Sequence, residues 1–241
     1  MKTLKDMDET TLNIANTIFS PRIEITDNGF FTLSIENKQF LYSFITELRR
    51  QCDGNEGSYV LSYGNKVLSF EKNVELISDL TDINFNSKNI TNLVGKKFAE
   101  FMGEGEQGES LSTIEAIICK LADAFESRSN LNIEYDSSIT AAGLAKLCNL
   151  HIADTGKTLA ERLCDYVSLL SELKPLKLFV VVFAKSFLSD ESIDYLWKYC
   201  QDCGVRLLLV EGHDGTEPKN DERRLIIDND LCCIPIHFGI Q

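Results

Sequence analysis

The chain has 241 residues, 44% hydrophobic and 25% charged, with a formal net charge of −13. That composition supports a buried core and excludes wholesale disorder, a collagenous or low-complexity chain and, with only eight cysteines, a disulfide scaffold. It also excludes a uniformly basic nucleic-acid coat, because counterion release needs a concentrated positive face. No apolar run is long enough to cross a membrane and the start lacks the apolar stretch of a signal peptide, so a cytoplasmic protein with reduced thiols is expected.

In chain order, the first elements are strands. Arg22–Ile25 and Phe31–Ile35 alternate apolar and polar positions around Asp27-Asn28-Gly29, which predicts a hairpin. Phe40, Leu41, Phe44, Ile45 and Leu48 then share one face of a helix. Tyr59–Tyr63 and Val67–Phe70 flank Gly64-Asn65 and predict a second hairpin. Further on, Ile90, Val94, Phe98 and Phe101 make a helical stripe, while 103–110 is too polar for a core and reads as an exposed tip. Ser112 with Glu115 makes a capping box, opening a helix with Ile114, Ile118, Leu121 and Phe125 on one side. With Leu111 in front, these residues are spaced alternately by three and four, the seam of two helices packed along their length. A projecting antiparallel helical hairpin is therefore expected over 87–129.

The remainder alternates. Leu131–Tyr135 and Leu150–Ile152 read as strands, Thr140–Leu147 as a short helix, and Thr158–Leu173 as an amphipathic helix with Leu159, Leu163, Tyr166, Leu170 and Leu173 inward. Leu178–Phe183 and Arg206–Val210 are apolar on both faces, the mark of strands covered on both sides. Between them, Ser189 caps a helix with Ile193, Leu196, Trp197 and Cys200 beneath. Strand–helix–strand order of this kind predicts parallel pairing in an α/β body.

Three motifs bear on chemistry. Gly156-Lys157-Thr158 ends like a phosphate-binding P-loop, but the first glycine of that motif is replaced by His151, which falls in the predicted strand. A nucleotide hydrolase using Lys157 and Thr158 is thus the rival reading. Cys200 and Cys203 have zinc-knuckle spacing without a second properly spaced pair, and Cys200 falls on an apolar helix face, where a buried free thiol is expected. Glu134 and Asp136 lie two apart in a predicted strand, so their like charges share a face. They are oxygen ligands suited to calcium or magnesium, or else a solvated strand end.

The order of the first hairpin and helix, the helical excursion, Leu131–Asp136, the amphipathic helix, Leu178–Phe183, the capped helix and Arg206–Glu211 resembles the fourth adaptation protein of subtype II-A CRISPR systems. The closing Leu225–Ile234 looks like that family's acidic turn and last strand. The resemblance implies an α/β fold: a P-loop-ATPase-like head with a mainly parallel sheet over 1–85 and 131–241, plus a projecting α-helical leg over 86–130. It implies a non-enzymatic accessory factor of spacer acquisition, forming a homotetrameric ring that binds calcium and the ends of double-stranded DNA without sequence preference. Its partners would be the adaptation integrase and the RNA-guided nuclease of the same system. Glu134 and Asp136 match the family's calcium region, and Lys96, Lys97, Arg128, Lys157 and Lys185 are candidates for DNA contact on charge alone.

Overall fold

A computed structural model describes residues 11–16, 22–26, 29–103, 106–129, 134–136, 138–213 and 222–236. The chain divides into two compact units, Met1–Ile83 with Thr155–Gln241, and Asn84–Asp154. The first unit opens with β1 (Leu12–Ala15), β2 (Ile23–Ile25), β3 (Phe30–Ile35), α1 (Lys38–Cys52), β4 (Val60–Tyr63), β5 (Lys66–Leu68), α2 (Phe70–Asn73) and β6 (Val74–Ile77). The second contributes α3 (Lys88–Met102), α4 (Glu106–Glu126) and α5 (Ala141–Leu147). The chain then returns as α6 (Leu159–Leu173), β7 (Leu178–Val182), α7 (Asp190–Asp202), β8 (Arg206–Glu211), β9 (Glu222–Ile227) and β10 (Cys233–Ile236).

A six-stranded sheet runs β10-β9-β3-β8-β7-β6, parallel throughout except for the antiparallel β9–β10 pair. The parallel α/β core read from the sequence is therefore present, in a mixed sheet. A separate antiparallel sheet runs β2-β1-β4-β5, and of it the sequence reading contains only the β4–β5 hairpin. It also overturns the first predicted hairpin: β2 pairs with β1 (Leu12 opposite Ile25), whereas β3 enters the other sheet between β8 and β9. Every residue of β3 is buried, which requires cover on both faces and a neighbour on each edge, and a two-stranded ribbon cannot give that. Asp27 and Asn28 lie outside the described residues. The second hairpin does form, with Tyr63 opposite Lys66 and Gly64 at φ 54° in the left-handed region its turn requires.

One apolar cluster joins Phe40, Phe44 and Leu48 of α1 to Phe31, Leu33 and Ile35 of β3 and to Leu12, Ile14 and Leu61 of the antiparallel sheet. Trp197 of α7 meets Phe30 with ring centroids 5.8 Å apart. The alternate residues of β3 and β9 are polar yet buried. Arg224 donates to Glu222 at 2.9 Å, and Lys185, in the 3-10 turn Ala184–Ser186, donates to the same carboxylate at 2.6 Å. Burial opposes the charge on Glu222, but bonds from Arg224 and Lys185 outweigh it and hold the carboxyl below its ordinary range. Glu211, at the end of β8, accepts the backbone N–H of Lys185 at 2.9 Å, yet burial still pushes its pKa up.

In the second unit α3 packs chiefly against α5, burying Ile90 and Ala145. The predicted seam with α4 is open: Leu121 is 65% and Phe125 58% exposed. α4 starts at Glu106, so Ser112 and Thr113 are interior helix residues whose hydroxyls donate to the carbonyls of Gly108 and Glu109, and the expected capping box is absent. The exposed tip read over 103–110 is thus partly helix. Glu134–Asp136 are exposed and irregular rather than strand, and 131–133 lie outside the described residues. No strand forms at Leu150–Ile152; Ile152 instead exchanges two hydrogen bonds with the Asn86 side chain at 2.8 and 2.9 Å. The unit accordingly runs to Asp154, past the expected boundary at 130.

The raised pKa of Glu211 has a testable sign. A carboxyl whose folded pKa is raised stabilises the fold while protonated, and that stability is lost as pH rises through the folded value. Glu211→Gln keeps an oxygen for the Lys185 amide and removes the charge. It should raise the melting temperature more at about pH 8 than at about pH 5 in parallel thermal melts.

Candidate functional site

Ligands of parallel α/β sheets bind beyond the carboxyl ends of the strands. The link from β3 to α1 is only Glu36-Asn37. Asn37 is fully engaged there: its Oδ1 accepts from Phe40 N at 2.9 Å and its Nδ2 donates to the Asn229 carbonyl at 2.8 Å. After β7 comes Phe183 at φ 58°, an unusual conformation for a bulky residue. Its ring lies over Gly212, where an added Cβ would meet both Phe183 and Leu41 at 3.5 Å. Among the described residues, the links after β3 and β7 are short and closed by side chains, with no glycine-rich cradle.

The start of α6 is the other position where a phosphate could sit. No strand precedes Gly156, and His151 sits in an exposed loop with its ring Nδ1 2.8 Å from the Asn149 carbonyl, which corrects its placement in a strand. Thr158 caps α6, its Oγ1 accepting from Glu161 N at 3.2 Å. In return a single Glu161 oxygen accepts from Lys157 N at 2.8 Å and Thr158 N at 3.1 Å. Those two amides hold the Glu161 carboxyl below its ordinary range. The positive helix end that would attract a phosphate is therefore occupied by an internal carboxylate. Gly156 passes so close to α6 that a Cβ there would lie 2.8 Å from Arg162 N, which accounts for the glycine without any ligand.

The candidate cations are divided between the two units. Lys96 and Lys97 are exposed on α3, with Lys96 loosely paired to Glu100 at 3.9 Å. Arg128 is exposed just past α4, and Lys157 is exposed at the start of α6. Lys185 departs from the expectation: its side chain is 15% exposed and committed to buried Glu222, because that carboxylate needs a second cation. Sequence reading missed Lys146 of α5, which shares a groove with Lys96.

Glu134 and Asp136 are both exposed in the second unit. One Asp136 oxygen accepts from Ser138 N at 2.9 Å and Ser138 Oγ at 2.8 Å, and these bonds lower its pKa. The intervening Tyr135 donates to Asp123 at 2.7 Å. The donors suit calcium in kind, as hard oxygens, but calcium takes about six to eight. Among the described residues no cluster of three or more His, Cys, Asp or Glu side chains could hold a metal. Cys200 lies on the buried face of α7, and burial pushes its thiol well above the ordinary value, which disfavours the thiolate a zinc site needs. No helix among the described residues is long and apolar enough to cross a membrane.

Residues 51–231 match the family model described as CRISPR-associated protein (Cas_Csn2). The chain belongs to that family. No curated protein matches it. Among solved structures it is similar to a putative ABC transporter ATP-binding protein from Pyrococcus furiosus, at 10% identity and a TM-score of 0.39, covering 89% of this chain and 97% of that one. It is also similar to a bacterial Atm1-family ABC exporter with ATP bound, at 10% identity and a TM-score of 0.42, covering 92% of this chain and 37% of that one. Likenesses this distant say nothing of what the Cas_Csn2-family chain does.

With the α6 amides already bonded to Glu161, ATP should neither raise the melting temperature nor release phosphate in a hydrolysis assay. Thr158→Ala should cost about 1 kcal/mol in urea denaturation through loss of the cap. Phosphate release abolished by Lys157→Ala would overturn this.

Proposed function

We propose that this chain is a non-enzymatic accessory protein of CRISPR spacer acquisition that binds the ends of double-stranded DNA, without sequence preference, as a calcium-dependent homotetrameric ring. The match of residues 51–231 to the Cas_Csn2 family carries this reading. Its partners are linear duplex DNA and the adaptation integrase and RNA-guided nuclease of the same CRISPR system. In this reading the first unit is a P-loop-ATPase-like head that no longer takes nucleotide, which the Glu161 carboxylate on the α6 amides favours. The same contact weighs against a nucleotide hydrolase.

A chain of net charge −13 holds a polyanion only where positive charge is concentrated, and a ring does this by bringing the cations of several subunits together. Lys96, Lys97, Arg128 and Lys157 are the candidates, since all are exposed. The open apolar face of α4, with Ile117, Ile118, Leu121 and Phe125, favours assembly, because exposed patches of this kind mark interaction surfaces. Glu134 and Asp136 would supply two of the calcium oxygens, the rest coming from carbonyls or water.

A gel shift comparing linear with closed-circular duplex, in calcium and in chelator, tests the reading. Linear DNA should be retained in calcium and released by chelator, and the circle should not be retained. Glu134→Ala with Asp136→Ala should reduce end binding and the calcium-induced rise in melting temperature together. A double variant that keeps both at wild-type levels would make these carboxylates a solvated loop only.

A further inference from the structure

The second unit contains a groove of about 490 Å³ between α3 and α5. Its floor is made of small apolar residues, among them Gly95, Ala99 and Ala145, and Lys96 and Lys146 line it from the two helices. Asn92 and Asn149 add amide groups, and no Asp or Glu lines it. In a chain with 37 acidic residues against 24 basic ones, a concave surface lined by two lysines and no carboxylate favours anions, with the exposed Glu100, 3.9 Å from Lys96, offsetting part of that charge. The volume falls within the usual range for small-ligand sites and is large enough for a nucleotide or two.

We infer that this groove holds a short stretch of a nucleic-acid strand, its phosphates between Lys96 and Lys146 and its sugars against the small apolar floor. The inference rests on the proposed DNA binding and adds the surface that performs it in the second unit. It also adds Lys146, which the sequence did not single out. Small floor residues allow the strand to approach closely, while ammonium groups on both walls meet phosphate oxygens whatever the bases. Recognition of this kind is independent of sequence.

Two variants separate the groove from mere surface charge. Lys96→Ala with Lys146→Ala should weaken binding of linear duplex roughly fivefold or more and lower the salt-dependence slope by about 0.9 per lost phosphate contact. Gly95→Leu leaves the charge intact. A Cβ at Gly95 meets nothing within 4 Å, so the side chain enters open space, and leucine favours an α-helix over glycine. It should fill the groove and weaken DNA binding comparably, with melting temperature kept or raised. If Gly95→Leu binds duplex as the wild type does while the lysine variant is weakened, the lysines act as dispersed surface charge and the groove is overturned. If a mononucleotide such as dAMP competes with duplex at equal phosphate concentration, the site takes a free nucleotide and the strand assignment falls. A wild type that binds no duplex at all overturns the proposed function and this occupant together.

Discussion

The first unit is organised around a carboxylate that water cannot reach. Glu222 sits at the start of β9, and its charge is tolerable only because Arg224 on the same strand and Lys185 beyond β7 both meet it. Removing one partner from a buried pair typically costs about 3–5 kcal/mol, since the remaining charge is stranded. The cluster therefore ties β9 to the turn after β7, across the intervening β3 and β8. It also takes Lys185 out of reach of any external polyanion. With Glu211 holding the same turn by its backbone, the carboxyl edge of the sheet is fastened internally where related architectures keep room for a ligand.

Much of this was legible where a residue's partner is near in sequence or where burial is one-sided. The stripe Phe40–Phe44–Leu48 and the cap at Ser189 specify α1 and α7, and the doubly apolar β7 and β8 specify a covered parallel sheet. Asp27-Asn28-Gly29 misled because its turn chemistry serves equally for a passage between two sheets, and only the full burial of β3 decides the matter. The polar run around Gly108 concealed a helix, since Ser112 and Thr113 satisfy their hydroxyls on the preceding turn. At the candidate site, Thr158 and Glu161 had the spacing of a capping box, a signal present in the sequence and eclipsed by the more familiar Gly-Lys-Thr. Lys185 with Glu222, and Lys96 with Lys146, depend on packing between distant segments and leave no local trace.

The two units divide the chemistry between them. The first buries its charges in pairs and fills its helix end with its own carboxylate, so it offers little to a small anion. The second has few deeply buried residues, leaves large apolar side chains of α4 in contact with water, and keeps its lysines at the surface. The holding of a polyanion proposed for this Cas_Csn2-family chain calls for surfaces of the second kind.

The position of β3 in its sheet governs the order in which the molecule can be built. Residues 30–35 are flanked by strands from residues 206–211 and 222–227, so the sheet cannot be completed until residue 227 has left the ribosome. Pairings of such long separation form slowly, and until they do a strand carrying Phe30, Phe31, Leu33 and Ile35 must be kept from other chains. Asn84–Asp154 is continuous in sequence, so its helices need not wait. A chain cut short before Ile227 would consequently leave β3 without one of its neighbours, a ready nucleus for aggregation rather than a smaller working protein.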